Sequence, residues 1–206
     1  MLAILFKGGP VMIPIILGSI LGLAIIIDRF LVLKNIRIDI EDFTQAVFRS
    51  IRKGDFNSAM NLCYQNSQHP LPRLFKLGIE KRNLSRADLE KLLERLGNKE
   101  IHELEKRLGG LVSVIGIEPL LGFLGTITGL IRAFMAWEHA GSNITVNALA
   151  SGIYQAMITT AAGLAVAVPY YLVYNYLVSR IKYISYELND YSGQLIEVLS
   201  EPQKVK

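Results

Sequence analysis

Two long apolar stretches, separated by a short polar segment, dominate the second half of the chain. Residues 110–137 and 148–178 are predominantly apolar, and residues 138–147 between them are mostly small or polar. From residue 144 to residue 179 the sequence contains no Asp, Glu, Lys or Arg. A bilayer crossing requires roughly 20 apolar residues, so each stretch predicts a transmembrane helix.

A third apolar stretch lies near the N-terminus. Residues 10–27 carry no charge, and the apolar pattern resumes after Asp28 and Arg29, so residues 10–33 predict the first transmembrane helix. A cleaved signal peptide is the alternative, but the charged residues follow the apolar run and no Ala-x-Ala site comes after it. A retained membrane anchor is therefore favoured.

The block between the first two spans is rich in charge and has helical apolar spacing. Residues 34–107 hold 15 of the 22 Lys and Arg residues, mixed with acids. We therefore predict a helical cytoplasmic domain over residues 34–109. Ser85 followed by Asp88 is typical of a helix start. The Gly54-Asp55 pair and the His-Pro-Leu-Pro run at residues 69–72 indicate breaks between shorter helices.

Apolar stripes also extend the second and third spans. Beyond Gly97 the apolar residues continue at steps of three and four into the second span, which predicts a join without a flexible linker. The tail, residues 179–206, repeats Ile181, Ile184, Leu188, Tyr191, Leu195 and Val198 at such steps. This stripe needs a partner helix, either from this chain or from a neighbouring subunit.

The distribution of basic residues predicts the topology. The 138–147 connection contains no Lys or Arg, whereas the block before the second span is basic and Arg180 and Lys182 follow the third. By the positive-inside rule the N-terminus lies outside and the C-terminus inside. The predicted protein is thus an all-α integral membrane protein with three transmembrane helices and long cytoplasmic helical extensions. Its non-membrane segments are periplasmic residues 1–9 and 138–147 and cytoplasmic residues 34–109 and 179–206.

Composition excludes several other classes of protein. The chain is 51% hydrophobic and 19% charged, and these residues are segregated into blocks, as in a membrane protein with a soluble portion. The net charge of +4 comes without an aromatic-basic patch or a nucleic-acid motif, so no nucleic-acid partner is expected. The single cysteine, Cys63, is interpreted as a structural thiol. We find no catalytic triad, phosphate-binding loop or metal-ligand spacing, and predict neither an enzyme nor a bound cofactor.

Small residues form a stripe on each of the last two spans. Glu118, Gly122, Gly125 and Gly129 fall within a narrow arc of the second span, and Gly125 with Gly129 forms a Gly-x-x-x-Gly pair. The third span has a matching stripe that consists of Gly152, Ala156, Thr159, Gly163 and Ala167. Close backbone contact between the two helices is the expected role of the glycines.

Polar side chains within these spans are the candidates for an ion pathway. Thr126 and the Thr159-Thr160 pair lie near the middle of their spans, so antiparallel pairing places hydroxyls at similar depth; the alternative is hydrogen bonding of each threonine to its own helix. Glu118 is costly within a span and is expected to face the bundle interior or water, unless it snorkels. Gln155 is expected to face protein. Arg132 is expected to extend to the outer interface.

These residues carry a resemblance to a known family. The run EPLLGFLGTITGLIRAF at residues 118–134 and the run GIYQAMITTAAGLAVAVPYYLVYN at residues 152–175 resemble the MotA/TolQ/ExbB proton-channel family, with ExbB and TolQ the most similar. The first span, which ends in an acid-Arg pair, is also similar to that family. Residues 35–85 match in layout alone.

The resemblance implies a channel of the bacterial inner membrane. It implies a homo-pentamer whose second and third helices line a pore, occupied by a dimer of single-span ExbD/TolR-like partners. An intramembrane Asp of the partner would shuttle protons, the driving ion, beside Thr126 and Thr160 of this chain. A TonB/TolA-like protein would be a further partner, and the lipid bilayer would surround the assembly.

The chain departs from the family pattern at two positions. Gln155 stands where ExbB and TolQ usually carry a glutamate, and Glu118 stands where the family often has alanine. At 1.5 Å per residue the two positions differ in depth by roughly 20 Å, so one cannot directly replace the other. Gln155 keeps open a second hypothesis, a non-conducting scaffold for partner helices. A secondary transporter is disfavoured, because three spans show no internal repeat or broken helix.

Overall fold

The fold is entirely α-helical within the residues that a computed structural model describes, namely 7–36, 38–140 and 146–201. These residues contain no β-strand, which confirms the all-α prediction. The helices are α1 (Met12–Asn35), α2 (Ile40–Arg52), α3 (Phe56–Gln65), α4 (Pro70–Glu80), α5 (Arg86–Glu105), α6 (Leu108–Ala140) and α7 (Val146–Ser200). Half of the predicted 138–147 loop, and the ends of the chain, lie outside the described residues.

Three helical stretches are long and apolar enough to cross a membrane. They are Met12–Asn35, which is α1, Arg86–His139, which runs through α5 and α6, and Leu149–Ser200, which lies in α7. Their number agrees with the three predicted spans. The chain divides into two compact units: Arg107–Tyr176 with the described residues up to Asp28, and Arg29–Lys106 with the described residues from Leu177. We call them the membrane unit and the soluble unit, after the environments that the sequence predicts for them.

Helices α5 and α6 are separate helices, although the apolar spacing continues from one into the other. Helix α5 ends at Glu105 and α6 begins at Leu108. Between them Arg107 has a φ of 70°, a left-handed conformation that non-glycine residues rarely adopt and that stops α-helical hydrogen bonding. The Arg107 guanidinium lies 3.0 Å from the Asp28 carboxylate, and this ion pair stabilises the break. Only two residues separate the helices, so the junction is short even though it is not helical.

The soluble unit has a single apolar core. Helices α2 to α5 contribute buried aromatic and aliphatic side chains, among them Phe43, Phe75 and Leu93. The C-terminal part of α7 completes this core with Leu188, Leu195 and Val198. The tail stripe therefore finds its partner helices within its own chain, which resolves the alternatives left open by the sequence.

Polar residues set the helix boundaries of the soluble unit as predicted. The Ser85 hydroxyl accepts a hydrogen bond from the Asp88 amide at 3.2 Å, and α5 begins at the next residue, Arg86. Gly54 has a φ of 75° and Asp55 caps α3, which confirms the break between α2 and α3. His69 caps α4 through its Nδ1 atom, which accepts from the Leu71 amide at 3.1 Å.

Candidate functional site

Glycines bring α6 and α7 into backbone contact. A Cβ atom added to Gly129 would lie 2.7 Å from the Gly152 carbonyl oxygen, and one added to Gly152 would lie 2.6 Å from that of Gly129. Added Cβ atoms at Gly122 and Gly163 would likewise meet backbone atoms of the opposite helix, and one at Gly125 would strike the Thr159 side chain. All five predicted packing glycines therefore lie in this interface, and any larger side chain would push the helices apart.

The close approach places the Thr126 and Thr160 hydroxyls in direct contact. Their Oγ1 atoms are 2.5 Å apart. The backbone carbonyls of Gly122 and Ala156 lie within 3.3 Å of both hydroxyls, so each hydroxyl hydrogen can be accepted by either carbonyl or by the other hydroxyl. Neither threonine is fully buried. We call these two hydroxyls and two carbonyls the threonine cluster.

Thr159, the third predicted pathway threonine, has different surroundings. Its side chain is fully buried against Gly125. Its hydroxyl donates to the Gln155 and Ala156 carbonyls of its own helix, both at 3.0 Å. This is the geometry expected of a packing residue in a membrane helix.

Gln155 forms an interhelical contact that the sequence analysis missed. Arg132 Nη1 donates to Gln155 Oε1 at 2.9 Å, although Arg132 was expected to extend to the interface. This bond fixes the orientation of the amide, because an arginine can only donate and therefore needs the oxygen. Gln155 is 6% exposed, and its Nε2 has no hydrogen-bond acceptor among the described residues. The two residues are 23 positions apart, so no local pattern signalled the pair.

Glu118 is buried inside the membrane unit, as the sequence analysis expected if it did not snorkel. It is 1% exposed, and its Oε2 atom has no hydrogen-bond donor among the described residues. A Cβ atom added to Gly18 of α1 would overlap Glu118 Oε1. The carboxyl group therefore faces α1, a neighbour that no local sequence pattern predicts.

Helix α1 is also fixed to α7 by a tyrosine. The Tyr170 hydroxyl donates to the Ser19 carbonyl oxygen at 2.6 Å and lies 3.3 Å from the Ser19 hydroxyl. A Cβ atom added to Gly22 would lie 2.5 Å from the Tyr170 ring. Small residues of α1 therefore pack against bulky or polar side chains of α6 and α7. All three long helices form one packed group.

Comparison with known proteins identifies the group of proteins to which this site belongs. Residues 66–190 match the MotA/TolQ/ExbB proton channel family. The chain belongs to this family. The matched range includes Glu118, the threonine cluster and Gln155. With three helices of membrane-spanning length, membership in the MotA/TolQ/ExbB family makes the chain a multi-pass membrane protein. The family is one of transport-associated proton channels and is not an enzyme family.

Relatives in the MotA/TolQ/ExbB family match over most of the chain. It is 35% identical to an ExbB-like biopolymer transport protein of Synechocystis over 84% of this chain and 68% of that protein. It is 31% identical to an ExbB homologue of Methanothermobacter thermautotrophicus over 86% of this chain and 63% of that protein. It is also 35% identical to the Tol-Pal system protein TolQ of Haemophilus influenzae, over 50% of this chain and 44% of TolQ. The matches therefore leave a third or more of two of these relatives uncovered.

Proposed function

We propose that the chain is the pore-forming subunit of a proton-driven motor complex in the bacterial inner membrane. The complex couples the proton-motive force to movement of a partner that reaches across the periplasm. In this proposal the N-terminus is periplasmic and the C-terminus cytoplasmic, and α1, α6 and α7 supply the three spans. Protons are the driving ion, and no cofactor takes part.

The threonine cluster is the observation that carries this proposal. Hydroxyls both donate and accept hydrogen bonds, so Thr126 and Thr160 can solvate a proton carrier at mid-span where lipid cannot. Each hydroxyl reaches a carbonyl of its own helix, and it also reaches a carbonyl and the hydroxyl of the other helix at the same depth. Membership in a proton channel family supports the same role.

The partners follow from the chemistry that this chain lacks. Gln155 and the threonine hydroxyls do not ionise at neutral pH, and Glu118 lies about 12 Å away along α6, so the cluster needs a titratable group from another chain. We propose a pentamer of this chain around a dimer of ExbD/TolR-like single-span proteins with an intramembrane Asp. A TonB/TolA-like protein would then transmit the movement. Exposed apolar side chains on all three spans, such as Leu21, Phe123 and Leu172, provide surface for other subunits and lipid.

The energy available per proton is sufficient for a conformational step. Moving one charge through 100 mV releases about 2.3 kcal/mol. A few protons therefore supply energy comparable to that of several hydrogen bonds between packed helices, at about 1 kcal/mol each. The partner movement can thus be driven without ATP.

Valine substitution tests the threonine cluster. We expect Thr126→Val and Thr160→Val each to lower proton flux through partner-loaded proteoliposomes roughly fivefold to tenfold, since each removes a hydrogen bond of about 1–1.5 kcal/mol. Thr128→Val is the matched control, because the Thr128 hydroxyl donates to the Gly125 carbonyl of its own helix at 3.0 Å. Unchanged proton flux in both test variants, in complexes that still assemble, would contradict the assignment of the threonine cluster to a proton-conducting pore.

The Gln155–Arg132 bond favours one alternative function, a scaffold that holds partner helices without conducting. It holds Gln155 in a fixed contact between two helices, and an amide cannot act as a proton carrier. Proton flux with the wild-type partner, compared with flux with a partner Asp→Asn variant, separates the two functions. Equal flux in the two preparations would favour the scaffold.

A further inference from the structure

A second polar site lies in the membrane unit, separate from the threonine cluster. Glu118 precedes Thr126 by eight residues on α6, about 12 Å along the helix axis. Its carboxyl group faces Gly18 of α1, and its backbone carbonyl faces Gly163 of α7. All three long helices therefore surround this residue.

No described donor or opposite charge stabilises an ionised Glu118. Its Oε2 atom lacks a hydrogen-bond donor. On α1 the nearest charged residue is Asp28, ten positions after Gly18 and about 15 Å along the axis. Directly before α6, eleven positions from Glu118, Arg107 is paired with Asp28, and on α6 itself the nearest cation is Arg132, about 21 Å away along the axis. On α7 the titratable group in contact with α1 is Tyr170, whose hydroxyl donates to Ser19.

The packing of α1 determines whether Glu118 can reach water. An ionised carboxylate is costly in a bilayer interior unless it is paired or hydrated. Gly18 has no side chain, so α1 covers the carboxyl group closely and excludes water from that side. The protonated acid fits this closed arrangement, whereas the carboxylate requires α1 to move away.

We propose that Glu118 is a proton-binding site and that its ionisation is coupled to separation of α1 from α6. Binding of a proton stabilises the packed arrangement, and release of the proton stabilises the separated one, because each state favours one form of the carboxyl group. The site takes a proton and no other ligand. The inference does not depend on conduction through the threonine cluster, since its tests measure protonation and helix distance.

Infrared spectroscopy tests the protonation directly. In detergent-solubilised protein at neutral pH we expect a carboxylic acid C=O band that is lost in Glu118→Gln. Absence of the band in the wild type would show an ionised carboxylate with an unidentified partner and would overturn the proposal.

Distance measurements test the coupling to α1. Spin labels at Leu17 on α1 and Leu120 on α6, both exposed, report helix separation in a Cys63→Ala background. We expect the distance to increase at high pH in the wild type and to stay constant in Glu118→Gln. An unchanged distance in the wild type, or an equal increase in both proteins, would overturn the coupling.

A double substitution checks the contact without changing pH. Gly18→Ala should increase the label distance, because its Cβ atom would overlap the Glu118 carboxyl group. Adding Glu118→Ala should restore the wild-type distance. Gly116→Ala is the matched control, since its Cβ atom would have nothing within 4 Å. Failure of Glu118→Ala to restore the distance would show that Gly18 does not pack against this carboxyl group.

Discussion

His69 is a buried histidine whose ring serves as a helix cap. Its Nδ1 atom accepts the Leu71 amide, which requires the nitrogen to be unprotonated. Burial, with a smaller contribution from the Arg73 charge, lowers the pKa of His69 from 6.5 to about 4. Protonation would therefore both charge a buried ring and remove the cap.

The soluble unit should accordingly lose stability in mild acid. The unfolded chain binds a proton on His69 below pH 6.5 while the folded chain does not until about pH 4, so stability falls as the pH drops between these values. From pH 7.5 to pH 5 we expect a loss of about 2 kcal/mol. Hydrogen exchange of α4 amides, corrected for intrinsic rates, should show protection reduced by about 30-fold.

Two variants make this measurement specific. His69→Asn keeps an N-cap acceptor that does not titrate, so its protection should not change between these pH values. His102→Gln, at an exposed position of α5, should behave like the wild type. An equal pH dependence in His69→Asn would assign the effect to another group.

Residue-scale contacts were predictable only where the partners were near in sequence or equal in depth. The Thr126–Thr160 contact followed from placing two mid-span hydroxyls on antiparallel helices. The Arg132–Gln155 bond did not, because a side chain as long as arginine reaches either the interface or a neighbouring helix and the sequence does not distinguish these. The burial of Glu118 against Gly18 depends on how a third helix packs, which no local spacing encodes.

At the scale of the helix, the C-terminal part of α7 stabilises the soluble unit. Leu195 is fully buried, and a Cβ atom added to Gly78 of α4 would lie 2.6 Å from it. We expect Leu195→Ala to destabilise the soluble unit by about 2–5 kcal/mol, as for other buried leucines. Leu84→Ala is the control, because Leu84 is 43% exposed and should cost about 0.5 kcal/mol. Urea titration read by pulse proteolysis measures both, and equal losses would contradict the role given to α7.

The packing of α6 against α7 depends on glycine, so the addition of a single methyl group should destabilise it. In Gly152→Ala the new Cβ atom would lie 2.7 Å from that of Ala133, an overpacking that costs about 1–3 kcal/mol. The melting temperature in detergent should fall by about 2–4 °C for each kcal/mol. Gly116→Ala should leave it unchanged or raise it, since alanine favours helix and meets no neighbour. A similar fall in the melting temperature of both variants would show that close packing at Gly152 contributes no more to stability than the position of Gly116 does.

Helix ends followed from the sequence where capping chemistry was local. Ser85 with Asp88, and Gly54 with Asp55, carry their signals within four residues. The break at Arg107 carries none, because arginine has no preference for a left-handed conformation and its Asp28 partner lies 79 positions earlier. Apolar spacing alone therefore does not mark this helix end.

At the scale of the whole molecule, the three spans leave much apolar side-chain surface uncovered. Lipid covers part of such a surface, and the proposed function assigns the rest to other copies of the chain. Native mass spectrometry in mild detergent should give about 115 kDa for five chains of 23.0 kDa each. A stable monomer, or a different number of chains, would refute the proposed pentamer while leaving the family membership unaffected.

The threonine cluster contains two hydroxyl hydrogens and four oxygen atoms. Either Thr126 donates to Thr160, which then donates to a carbonyl, or the direction is reversed. The reversal moves hydrogens and no heavy atom, so the two directions form a small switchable dipole within the span. Its orientation would follow the electric field across the membrane or the charge of an approaching acid. The hydroxyl dipole would then respond to the charge of an acid that approaches the cluster before any helix moves.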